Sequence, residues 1–146
     1  HYESKRALFL AIIDHVGDRM IEVLTAATSG LTDGQAQVEA GMVAFFKWVE
    51  RDRNAFKFLF DSGTQNDEEF TIAIRKVLDR SAEAIAPLIA IDLDPIHVRT
   101  LAHGVAGASE GVARFLINNT TAFNGEQIGK QIANLLWAGL RGVDSE

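Results

Sequence analysis

Apolar residues recur at helical spacing along most of this 146-residue chain, and almost nowhere with the strict alternation of a half-buried strand. In the first long stretch Phe9, Ile12, Ile13, Val16, Met20, Val23, Leu24 and Ala27 share one face of a helix from about Ser4 to Thr28. Asp14, Asp18 and Glu22 fall on the other. Ser4 is placed to cap its start and Ser29-Gly30 to end it. A second helix, beginning near Thr32 or Asp33, carries Val38, Met42, Phe45 and Val49, with Phe46 and Trp48 flanking that stripe. Asn54 is placed to cap a short third helix with Phe56, Phe58, Leu59 and Phe60, stopping near Asp61-Ser62-Gly63. A polar loop, Thr64 to Asn66, leads to a fourth with Phe70, Ile74, Val77, Leu78 and Ile85, which Pro87 ends. Asp94-Pro95 signals the start of a fifth, reaching about Asn118. After a loop through Thr121, a last helix spans roughly Gly125 to Arg141. The pattern predicts an all-α domain of about six helices.

Two of these helices carry more apolar surface than one neighbour absorbs. The fifth is apolar nearly all round, with Val98, Leu101, Ala102, Val105, Val112, Ala113 and Leu116 on a wide face. Such a helix is expected to sit centrally. Gly104, Gly107 and Gly111 lie within it, and since an interior glycine costs about 1 kcal/mol relative to alanine, they suggest close approach of another helix or a ligand. In the last helix Ile128, Ile132, Leu135, Leu136 and Gly139 form one face, while Trp137 points the other way among Glu126, Lys130, Asn134 and Arg141. A second contact surface is expected there: a two-fold, four-helix interface with another copy of the chain. Its candidate residues are Gly104, Gly107, Gly111, Ile132, Leu136, Trp137 and Leu140.

Composition narrows the function. The charge of −6, from 14 Lys+Arg against 20 Asp+Glu, argues against a free-standing nucleic-acid binder, whose affinity rests on cations. Zero cysteines exclude a disulfide scaffold, a thiol nucleophile and cysteine-based metal sites. No apolar run approaches the roughly 20 residues of a membrane span. The chain opens on His1 without an initiator Met, so further sequence is expected upstream.

Little in the sequence points to catalysis. There is no GxSxG, P-loop or GxGxxG motif. His103 and Glu110 lie about 10 Å apart along one helix, too far to share a metal ion. Asp14, His15, Asp18 and Glu22 read as a solvated charged face. An enzyme, a metal and a cofactor are therefore not expected. Lys47, Arg51, Arg53 and Lys57 are interleaved with Glu50 and Asp52, which reads as a salt-bridged surface. Lys5, at the start of the first helix, is placed to hold a phosphate together with backbone N–H groups. Six of the nine Phe lie between residues 45 and 70, along with Trp48. They fill a core or line an apolar pocket; composition does not decide which. For a pocket, the candidate ligand-binding residues are Phe45, Trp48, Phe70, Ile74, His103 and Ser109; a core or interface histidine is the other reading of His103, ahead of a metal ligand.

The opening Tyr2-Glu3-Ser4-Lys5-Arg6-Ala7-Leu8 resembles the junction in TetR-family transcriptional regulators where the recognition helix ends and the fourth helix begins. The helix order beyond it is similar to that family's C-terminal domain, including Leu59-Phe60-Asp61 and the segments Gly107–Phe115 and Leu135–Gly142. The resemblance implies a cytoplasmic homodimer with a DNA-reading helix-turn-helix upstream, its end at residues 1–5. Residues 6–146 would be the domain that binds a small hydrophobic effector and dimerises through its last two helices. It also implies DNA-phosphate contacts for His1 and Lys5, and operator DNA as a partner of the upstream module. A helical dimerisation or adaptor domain without a ligand is the alternative.

Overall fold

The computed structural model describes residues 4–59, 67–89 and 92–143. Six α-helices occur among them: α1 (Lys5–Thr28), α2 (Gly34–Arg51), α3 (Arg53–Leu59), α4 (Glu68–Ile85), α5 (Pro95–Asn119) and α6 (Gly125–Leu140). The expected stop at Asp61-Ser62-Gly63, the loop Thr64 to Asn66, and His1 lie outside the described residues.

Local chemistry sets most boundaries. The Ser4 hydroxyl accepts from the Ala7 N–H, Asp33 from Ala36, Asp67 from Phe70 and Asn124 from Gln127, each filling one of the donors a helix start leaves open. Gly30, at φ 80°, supplies the left-handed residue that turns the chain out of α1. After Ile85 the chain tightens into a 3₁₀ turn, Ala86–Leu88, which accommodates Pro87. Two caps depart from expectation. Asp94 makes no side-chain capping bond, so Pro95 alone marks that start. Asn54 lies inside α3, where the Asp52 carbonyl receives the Ala55 and Phe56 N–H groups.

Within the chain α2, rather than α5, is the central helix. It packs on α1 and most extensively on α6, and touches α3 and α5; α4 bridges α1 and α5. Phe46 and Val49 are fully buried on α2, and Phe45, Trp48 and Met42 nearly so. The stripe from Met42 to Val49 and its flanks are thus internal, and Val38 is half-buried against them. The glycines that permit close approach are on α6. A Cβ at Gly129 would lie 2.5 Å from the Val43 Cα, and one at Gly125 2.5 Å from the Phe46 carbonyl oxygen. With buried Ala133 they form a small-residue stripe one turn apart, against which the α2 backbone lies. Among the described residues, no other part of the fold lies within 4 Å of a Cβ at Gly104, Gly107 or Gly111.

Two polar anchors fix the α5–α6 connection. The Arg53 guanidinium donates to the Ile117 and Thr120 carbonyls at the end of α5, and the Glu50 carboxylate accepts the Gly125 N–H at the start of α6, at 2.8 Å. Both placements match the partial charges of helix ends. They correct the expectation that these two residues belong to a surface lattice of salt bridges.

Candidate functional site

Five helices converge on an apolar chamber of about 50 Å³. It is lined from α1 by Ile13, Met20 and Leu24, from α2 by Met42 and Phe45, and from α3 by Phe56. From α4 come Ile74, Val77, Leu78, Ser81 and Ile85, and from α5 Ala106, Ser109 and Glu110. Leu24, Met42 and Ile85 also line a larger cleft of about 350 Å³. That cleft opens between the end of α1 and the start of α2, under Leu88, Ile89, Val105, Leu136 and Leu140. Thr25, Ser29 and Gln37 stand on its polar side.

Three polar side chains are buried at these walls: Thr28, Ser81 and Ser109. Each satisfies its hydroxyl on the carbonyl four residues back, at Leu24 (2.8 Å), Val77 (2.9 Å) and Val105 (3.0 Å). Among the described residues Glu110 is the only ionisable side chain lining either space, and its carboxylate is held by Arg114 one turn along α5. No group of three or more potential metal ligands occurs among the described residues. The site is built for apolar contact, with few polar groups.

A helical bundle with an apolar cavity among its helices and a bare face on its fifth is common to many folds. The sequence decides which: residues 35–139 match the tetracyclin repressor-like, C-terminal domain. The chain belongs to that family. This TetR-like domain is also 23% identical over 145 residues to the HTH-type transcriptional activator FasR of Mycolicibacterium smegmatis, covering 98% of the chain and 66% of that relative. The chain thus spans just under two thirds of the relative's length.

Of the six candidate pocket residues, Phe45, Ile74 and Ser109 line the chamber. Trp48 lies behind its wall, edge-on to Phe56 at 4.8 Å and to Phe45 at 6.5 Å; its indole N–H is buried without a hydrogen-bond partner among the described residues. Phe70 is buried at the far end of α4, 5.9 Å from Phe9 and stacked under Arg6. His103 faces outward, with its Nδ1 4.0 Å from the Asp79 carboxylate. The inward positions of α5 are 102, 105, 106, 109, 113, 116 and 117, and His103 lies one step outside that arc. The other lining residues were missed as pocket residues, Met20 and Met42 among them. These two gave a sequence signal, since the chain's only two methionines fall on the core stripes of successive helices.

The remaining candidates separate into three places. Lys5 is exposed in the first turn of α1, its ammonium 5.5 Å from the Phe9 ring. Beside it Arg6 pairs with Asp67 at 2.7 Å and Glu69 at 2.8 Å, tying the start of α1 to that of α4. The hydrogen bond from Arg6 holds the Asp67 carboxyl below the usual carboxylate range, and the same pairing raises the Arg6 guanidinium further above its own. On α5, Gly104, Gly107 and Gly111 are exposed, in one stripe with Phe115, which is 59% exposed. On α6, Leu136 and Leu140 line the cleft and Ile132 packs on the core. Trp137 is half-buried against Gly34 of α2, 3.2 Å from that residue's would-be Cβ. The outward large residue of α6 is instead Leu135, 66% exposed. The small-residue stripe draws α6 onto α2, and this orientation turns Leu135 out and Trp137 in.

Proposed function

We propose that this is the effector-sensing and dimerisation domain of a TetR-type transcriptional regulator, in which a small hydrophobic molecule in the cleft shifts operator affinity. The observation that carries it is the cleft and chamber pair, walled by helices that also form the outer faces of the domain. The effector enters between the end of α1 and the start of α2 and contacts α4, α5 and α6 at once. A molecule that fits one arrangement of those helices better than another shifts the population toward it. In this reading α1 carries the shift outward. Its end forms the mouth of the cleft, and its start, with Lys5 exposed and Arg6 tied to α4, faces the helix-turn-helix module that we place ahead of it, with residues 1–5 as that module's end and His1 and Lys5 on the DNA backbone. Residues 6–146 form the sensing and dimerising part. The α5–α6 face, with Gly104, Gly107, Gly111, Phe115 and Leu135, is the surface we assign to a second copy.

Gly41 gives a direct test. It lines the cleft, and a Cβ there would meet only Thr28 Cγ2 at 3.7 Å and Leu24 Cδ2 at 4.0 Å, ordinary contacts. Gly41→Leu is expected to keep the fold and fill the cleft. Thermal shift against a panel of hydrophobic small molecules should give stabilised hits with the wild type that Gly41→Leu loses. Hits that survive the substitution would place the effector elsewhere, and a panel without hits would favour a dimerisation domain without a ligand.

A further inference from the structure

The partition between cleft and chamber contains one of the chain's two methionines, and the other lies next to it. Met42 belongs to the partition, and Met20 lines the chamber behind it. Each sulfur rests against a serine hydroxyl of another helix: Met20 Sδ on Ser81 of α4 at 2.8 Å, and Met42 Sδ on Ser109 of α5 at 3.3 Å. The partition's other members, Leu24 and Ile85, are branched. An unbranched thioether with three rotatable bonds is the part of that wall that moves most readily.

We propose that Met42 is a gate that sets how far an effector reaches inward, and that the effector is a slender, unbranched apolar chain with an uncharged polar end. The proposal rests on the cleft being the effector site. Two features specify the ligand. At roughly 10–15 Å³ per water-sized group, the chamber's 50 Å³ holds a short run of methylenes end to end but no ring system. Among the described residues the cleft has no ionisable side chain in its lining, and its polar side is Thr25, Ser29 and Gln37, so a charged head finds no ion-pair partner there, whereas an uncharged one finds hydrogen-bonding groups. When the chain reaches the partition, Met42 swings aside and gives up its contact with Ser109. The length of the effector is thereby communicated to α5.

A homologous series of 1-alkanols, hexanol to tetradecanol, titrated calorimetrically into the protein tests this. While added methylenes fill the cleft, affinity should rise about fourfold per methylene, equivalent to about 0.8 kcal/mol. The rise should fall below about twofold where the chain meets Met42. In Met42→Ala the fourfold rise should continue past that length. Ser109→Ala, which frees the Met42 sulfur, should tighten the long alkanols and leave the short ones unchanged. These readouts are differences between chain lengths within one variant, which a general loss of stability does not produce. Identical slopes in wild type and Met42→Ala, or an effect of Ser109→Ala shared equally by short and long alkanols, would overturn the gate. Carboxylates binding as tightly as alkanols of equal length would overturn the uncharged end. Failure of every alkanol to bind the wild type saturably would overturn the cleft as an effector site, and the gate with it.

Discussion

At the scale of single residues, the polar groups that matter most sit at helix ends. Arg53 answers the last carbonyls of α5 and Glu50 the first N–H of α6. Replacing Arg53 by Met keeps much of its apolar stem but leaves partly buried carbonyls without their donor. Chemical denaturation should show a loss of about 1–3 kcal/mol. Phe46 marks the other extreme, with no exposed surface; Phe46→Ala should cost about 3–5 kcal/mol, enough to unfold a marginal domain. Asp67 links residue to pH. Its carboxyl titrates below its ordinary value of 3.8 because Arg6 donates to it. A group with a depressed folded pKa stabilises the fold above its unfolded pKa and loses that contribution as pH falls from there through its folded pKa. Arg6 stays charged throughout. The melting temperature of wild type should therefore fall more between pH 7 and pH 3 than that of Asp67→Asn, and equal falls would remove the pair from the acid response.

At the scale of elements, glycines on two neighbouring helices have opposite meanings. Gly129 lies against the α2 backbone, where an added methyl cannot be relieved by a side-chain turn. Gly129→Ala should therefore push α6 off α2, at a cost of about 1–3 kcal/mol. Gly107 has open space around it among the described residues. In the isolated fold Gly107→Ala should stabilise α5 by up to about 1 kcal/mol, the ordinary propensity difference. If the stripe is instead covered by a second copy, the same change should weaken association. Thermal denaturation across a range of protein concentrations separates the two effects, because only the second depends on concentration.

At the scale of the molecule, the question is what covers Phe115 and Leu135, 59% and 66% exposed. In the proposed dimer they lie in the interface, and Leu135→Glu should convert a dimer to a monomer in analytical ultracentrifugation without unfolding it. An unchanged dimer would move the interface elsewhere. Trp137→Glu is a poorer test, since Trp137 also packs on Gly34 and its loss perturbs the fold. The helices themselves were legible before any tertiary structure, because amphipathic spacing and capping are local. Ser4, Asp33, Gly30 and the stripe from Ile13 to Leu24 act within one or two turns of chain. The family was legible from the junction at Tyr2 to Leu8 and the order of helices. The cavity was legible only in part. Phe45, Ile74 and Ser109 line it, but His103, one position off the inward arc of α5, faces solvent. Periodicity says which residues share a face; it does not say which neighbour that face meets or how the helix is rotated against it. Those were decided by packing: two α6 glycines close on the α2 backbone, and that contact places Trp137 inward, Leu135 outward and the cleft beneath Leu136 and Leu140.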